Sequence, residues 1–142
     1  MIYNVDNLEE TKKLAKDFSL SLKKGDVVLL RGDLGAGKTT FTQFVFKFLG
    51  VKEVVNSPTF AVLKSYQADS FTLHHFDTYR ITTEEAIECG FDETINDKES
   101  VVFIEWADMI KELIPQKHIA INIKHAGGDK RIFEIEKVGK YE

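Results

Sequence analysis

Apolar and polar positions along this chain fall into alternating strand-like and helix-like stretches. Ile2–Val5 has the length of a short edge strand. Asn7 and Glu10 stand at capping-box spacing. From there Leu8, Thr11, Leu14, Ala15, Phe18 and Leu22 stack on one helical face, which Lys23-Lys24-Gly25 ends. Asp26–Arg31 contains a continuous apolar run, the pattern of a parallel strand buried on both faces. Phe41, Phe44, Val45, Phe48 and Leu49 then repeat at helical spacing, with Gly50 as a C-cap. Ala61–Tyr66 and Phe71–Phe76 are strand-like and joined by the turn-prone Gln67–Ser70. Thr82–Gly90 and Phe91–Asp97 read as short helical pieces, and Val101–Ile104 is a second continuous apolar run. Ala107–Leu113 reads as a short helix stopped by Pro115. His118–Lys124 and Arg131–Val138 alternate apolar and polar residues across Ala126-Gly127-Gly128-Asp129, as an antiparallel hairpin does.

Between the first apolar run and the helix after it lies Gly32-Asp33-Leu34-Gly35-Ala36-Gly37-Lys38-Thr39, which matches the phosphate-binding P-loop. Its glycines open backbone turns that a Cβ would close, so successive N–H groups line one concavity suited to phosphate oxygens. The following helix adds its positive N-terminal end. Lys38 supplies a mobile positive charge for the β- and γ-phosphates, and Thr39 a hydroxyl for Mg²⁺. Strand, glycine-rich loop and helix in succession are the context the motif requires. The expected fold is therefore a single α/β P-loop NTPase domain spanning residues 1–142. Its mixed sheet is flanked by helices, parallel near the nucleotide and antiparallel at an edge.

Composition narrows the compartment and the partners. The 142 residues carry a formal net charge of −4, which argues against a broad nucleic-acid-binding face. A lone cysteine, Cys89, cannot form an intrachain disulfide, so a cytoplasmic location is expected, with the thiol in a structural role. No apolar run approaches the length of a membrane span, and the charged N-terminus is no signal peptide.

A P-loop needs a further metal-holding acid, and ligands of open α/β sheets lie at the carboxyl ends of strands. Glu105 follows the run Val101–Ile104, and Asp77 ends Phe71–Phe76. One of them holds Mg²⁺ while the other positions the attacking water; spacing does not decide which. A turn-capping role paired with Arg80 is the plainer alternative for Asp77. Asn56-Ser57-Pro58-Thr59 has the place of a loop that offers Ser57 or Thr59 to the γ-phosphate, or that of a simple proline turn. Trp106 adjoins Glu105 and reads as core packing or as a neighbour of the base. His74 and His75 are adjacent on a strand and face opposite ways, one toward the core and one toward the rim. Glu84, Glu85, Glu88, Asp92 and Glu93 form an acidic face, solvated or open to a basic partner.

Among NTPase classes, a small-molecule kinase would bring an arginine-rich lid, and the chain has only Arg31, Arg80 and Arg131. The guanine-reading N-K-x-D of GTPases is absent. An ATP-dependent switch or ATPase completed by a partner remains, with the kinase and a non-hydrolysing nucleotide-binding module as rivals. Gly32–Thr40, Ser57-Pro58-Thr59-Phe60, His75-Phe76-Asp77-Thr78-Tyr79-Arg80 and Glu105-Trp106, in this order, resemble the TsaE (YjeE-type) ATPase family of bacterial tRNA threonylcarbamoyladenosine biosynthesis. The resemblance spans nearly the whole chain and departs at Phe60, where the family often has Tyr.

That resemblance implies a set of roles. Leu34, Gly35, Ala36, Gly37, Lys38, Thr39 and Thr40 wrap the phosphates of ATP. Thr39 and Glu105 match the Mg²⁺ ligands, Asp77 the acid needed for hydrolysis, and Thr59 lies in the first switch-like loop. Trp106 falls near the nucleotide, and Thr11 and Arg131 near its base end. The resemblance also implies partners, the TsaB and TsaD proteins. ATP hydrolysis would reset that pair between rounds of modification on the adenosine beside the anticodon, without this chain transferring the carbamoyl group. The tRNA would be reached through the complex, and no membrane is involved.

Overall fold

In the computed structural model, residues 1–32, 36–53, 55, 63–77, 82–105 and 111–139 are described. Among them the strands are β1 (Ile2–Val5), β2 (Val27–Gly32), β3 (Leu63–Gln67), β4 (Thr72–Asp77), β5 (Ser100–Glu105), β6 (His118–His125) and β7 (Arg131–Val138). The helices are α1 (Leu8–Ser21), α2 (Lys38–Phe48), α3 (Thr83–Glu88) and α4 (Phe91–Ile95). The strands form one sheet in the order β1-β7-β6-β2-β5-β4-β3. Its centre is parallel: β4 pairs with β5, β5 with β2, and β2 with β6. Both flanks are antiparallel, through β3 on β4, β7 on β6, and β1 on β7. The expected mixed α/β sheet is therefore observed.

The two apolar runs are continuous because the central strands are covered on both faces. Val28, Leu30, Val101 and Phe103 point into a core shared with Ala15 and Phe18 of α1 and with Phe41, Val45 and Phe46 of α2. Val27, Leu29, Val102 and Ile104 point the other way, onto Ala86 of α3 and Phe91 and Ile95 of α4. The result is a three-layer sandwich, helix–sheet–helix.

Local signals account for the element ends. Asn7 caps α1, its side chain accepting from Glu10 N at 2.9 Å. The return bond of the capping box is displaced by one residue, since Glu10 Oε1 accepts from Asp6 N. Helix α1 stops at Ser21, with Leu22 as its C-cap, just ahead of the expected Lys-Lys-Gly stop. Helix α2 closes in a Schellman arrangement, with Val51 N donating to Phe46 O and Gly50 N to Lys47 O. Gly50 lies one residue beyond the C-cap Leu49, at φ 98°, where a Cβ would meet the Asp69 carboxyl group at 2.3 Å.

The helical faces differ in part from the expectation. Leu8 is 52% exposed because it opens α1 beside the cap, before the helix reaches the sheet. On α2 the buried set is Lys38, Phe41, Thr42, Val45 and Phe46, and Phe48 is left partly in solvent. The helix is turned so that Lys38 faces the loop it serves, a demand that outranks the apolar stripe alone. Residues 107–110 of the expected short helix lie outside the described residues, and 111–113 form a single 3₁₀ turn. Residues 61 and 62 of the expected third strand also lie outside them. Cys89 is exposed as the C-cap of α3, so its thiol is not part of the core. Among the described residues no helix is long and apolar enough to cross a membrane.

Phe46 joins the layers, in edge contact with Tyr66 at 5.5 Å, Phe103 at 5.0 Å and the His75 ring at 6.0 Å. Truncation to Phe46→Ala removes a fully buried ring. It is expected to destabilise the fold by about 3–5 kcal/mol in equilibrium urea unfolding.

Candidate functional site

The described residues on either side of the loop that follows β2 meet two strands, Gly32 against β6 and Ala36 against the head of β7. Gly32 has φ 154°, and a Cβ there would lie 2.5 Å from the Ile123 carbonyl oxygen of β6, so only glycine lets the two backbones approach. Gly37 sits at the N-cap of α2 in the left-handed region, φ 105°. It turns the chain so that the first amides of α2 face the loop. Lys38 is 7% exposed, and its Nζ donates to Gly32 O at 2.6 Å, folded back along the loop it would share with a phosphate. Thr39 and Thr40 are partly buried in the first turn of the helix. Thr42 is buried and donates to Lys38 O.

Arg131, the first residue of β7, braces this loop. Its Nε donates to Ala36 O at 2.9 Å, and its Nη1 to Gly128 O and Lys130 O. The guanidinium thereby ties the β6–β7 turn to the end of the P-loop. Thr11 is buried in α1, and its hydroxyl donates to Asn7 O one turn back.

Both acids stand at the expected rim. Leu30 of β2 pairs with Glu105 of β5, and Glu105 pairs with Asp77 of β4. Side chains paired in this way share a face of the sheet, so Asp77 and Glu105 both lie on the side covered by α2. Glu105 is 2% exposed and Asp77 is half-buried. Below them on the same face is His75, wholly buried, its Nε2 3.7 Å from Glu105 Oε2. Sequence reasoning placed one histidine of the pair in the core without linking it to Glu105. Strand alternation carries that signal only when the register between β4 and β5 is known.

These residues fit a divalent cation of the magnesium type. A carboxylate on each of two adjacent strand ends and a threonine hydroxyl opening α2 are hard oxygen donors. Among the described residues no group of three or more His, Cys, Asp or Glu could cage a metal. Magnesium is ordinarily held by one or two carboxylates together with substrate phosphates, and two carboxylates stand at this rim. Leu34, Gly35, Ser57, Thr59, Phe60 and Trp106 lie outside the described residues.

On the opposite face of β4, His74 Nδ1 lies 2.7 Å from Ser65 Oγ of β3. Burial pushes its pKa below the ordinary value of 6.5, and the Asp97 charge opposes that shift only in part. The folded state therefore binds the His74 proton less readily than the unfolded chain does. This contribution to stability is complete above the ordinary value and is lost as pH falls toward the folded pKa. Urea titrations are expected to show stability falling as pH drops below 6.5, with a shallower slope in His74→Gln.

Comparison with known proteins identifies the family and supports the fold. The family model described as "Threonylcarbamoyl adenosine biosynthesis protein TsaE" matches residues 5–133. The tRNA threonylcarbamoyladenosine biosynthesis protein TsaE of Bacillus subtilis is 44% identical over 137 residues, 96% of this chain and 85% of that protein. Its namesake from Rickettsia conorii is 43% identical over 136 residues, 94% of this chain and 77% of that protein. The crystal structure of Bacillus subtilis YdiB superposes with a TM-score of 0.83 at 39% identity, covering 98% of this chain and 86% of that one.

Proposed function

This chain belongs to the TsaE family of tRNA threonylcarbamoyladenosine biosynthesis, and we propose that it acts there as a Mg²⁺-dependent ATPase. In this reading residues 1–142 work as one P-loop domain in the cytoplasm. The chain binds ATP and docks on the TsaB–TsaD pair, and hydrolysis resets that complex between rounds of modification. Carbamoyl transfer belongs to the partners, and tRNA is reached through them, in keeping with the net charge of −4. The observation that carries the reading is the in-register pair Asp77 and Glu105, set beside a P-loop strand.

Each residue then has a task. Lys38 leaves Gly32 O and turns its ammonium to the β- and γ-phosphates, while the amides of Leu34–Thr40 cradle the phosphate oxygens. Thr39 and Glu105 would hold Mg²⁺, which when bound would supply positive charge beside the phosphates. Asp77 orients the attacking water and accepts its proton. Thr59 and Glu105-Trp106 report loss of the γ-phosphate to the partner surface. Thr11 and Arg131 border the base end of the nucleotide, and Arg131 also keeps Ala36 in place.

Phosphate release from ATP and Mg²⁺ should be weak for the chain alone and rise when TsaB, TsaD and tRNA are added. Rates that ignore the partners, or a phosphorylated small molecule made without them, would overturn the reset role and favour a kinase. Lys38→Ala is expected to weaken triphosphate binding and to lower turnover by about 100-fold or more. Asp77→Ala should bind ATP normally yet lose about 100- to 10,000-fold in turnover within the full complex. Wild-type turnover in that variant would remove Asp77 from the mechanism.

A further inference from the structure

His75 occupies a position that packing alone does not explain. It is wholly buried on the α2 face of β4, in edge contact with the Phe46 ring and paired in register with Phe103. A leucine or phenylalanine would fill that site with no polar atoms to satisfy. The imidazole instead brings two ring nitrogens into the core, and neither has a hydrogen-bond partner among the described residues. The charged group it faces is Glu105, with Nε2 3.7 Å from Oε2. That separation lies beyond hydrogen-bond length, so the pair is in electrostatic contact.

The register explains why these groups meet. Asp77 pairs with Glu105, and His75 stands two residues before Asp77 on the same face. His75 is thus the diagonal neighbour of Glu105 and lies directly beneath the acid pair. Its strand and the ring of Phe46 hold it there, and Phe46 belongs to the helix that begins at Lys38.

We propose that His75 is the positioning residue for Glu105: its Nε2, facing Oε2 across 3.7 Å, attracts that oxygen and leaves Oε1 to face the metal. The proposal rests on the reading of Glu105 as a Mg²⁺ ligand. Partners of this kind set ligand orientation, and their loss costs metal affinity while leaving the ligand itself in place.

The test uses the full chain with a non-hydrolysable ATP analogue and Mn²⁺ as the probe, bound metal being read by electron paramagnetic resonance. His75→Leu keeps the core apolar and removes the N–H. It is expected to retain the wild-type melting temperature and metal-free nucleotide affinity, and to bind Mn²⁺ about 10- to 100-fold more weakly. His75→Gln offers an amide N–H near the Nε2 position and is expected to recover most of that affinity, a rescue that a packing role would not give. It also serves should the leucine variant fail to fold. Unchanged Mn²⁺ affinity in His75→Leu, with a loss in Glu105→Gln, overturns the His75 assignment alone. Unchanged affinity in Glu105→Gln overturns the metal-ligand reading of Glu105, and the role of His75 falls with it.

Discussion

Two parallel strands, β4 and β5, end in register at one rim, beside the strand that leads into the P-loop. Leu30 of β2 pairs with Glu105 of β5, and Glu105 pairs with Asp77 of β4. Because β2 runs straight into the P-loop, this register brings two acids from distant parts of the sequence alongside it. A slip of one residue in either pairing would turn an acid to the opposite face, against α3 and α4. The apolar runs oppose such a slip. Each central strand buries alternate residues in two separate cores, so a displaced register would mismatch both at once.

The rim lies where the protein tolerates buried polarity. Lys38, His75 and Glu105 are each less than a tenth exposed, in a region otherwise closed by phenylalanines. Burial of such groups is costly unless they find partners, and two contacts are seen here. Lys38 takes a backbone carbonyl of its own loop. Glu105 and His75 face one another across the sheet. The cost is met by a well-filled interior beneath them, where Phe46 is in contact with both Phe103 and His75. Stability and site geometry therefore draw on the same aromatic cluster.

Features dictated by short spacing were legible in the chain. The P-loop declares itself through glycines and a lysine at fixed intervals, and both rim acids were found by asking which residue ends each buried strand. The rotation of α2 was not legible. Phe41, Phe44, Val45, Phe46, Phe48 and Leu49 surround much of that helix, so the apolar pattern admits more than one buried face. The choice falls to Lys38, whose ammonium must reach the loop and whose burial carries Thr42 and Phe46 inward with it. The partnership of His75 with Glu105 was hidden for a different reason. Alternation puts one of two adjacent histidines in the core, but only long-range pairing says which acid stands above it.

The antiparallel flank is more than a cover for the sheet. Ile123 of β6 comes so close to Gly32 that a single added carbon would collide with its carbonyl oxygen. Two residues later β6 turns, and Arg131 at the head of β7 reaches back to Ala36. A hairpin that contributes none of the motif therefore contacts the P-loop at Gly32 and at Ala36. Such a hold reduces the freedom that the loop would otherwise lose on meeting phosphates. The parallel core and the antiparallel hairpin act on the P-loop together, the first setting where its acids stand and the second how firmly its backbone is kept.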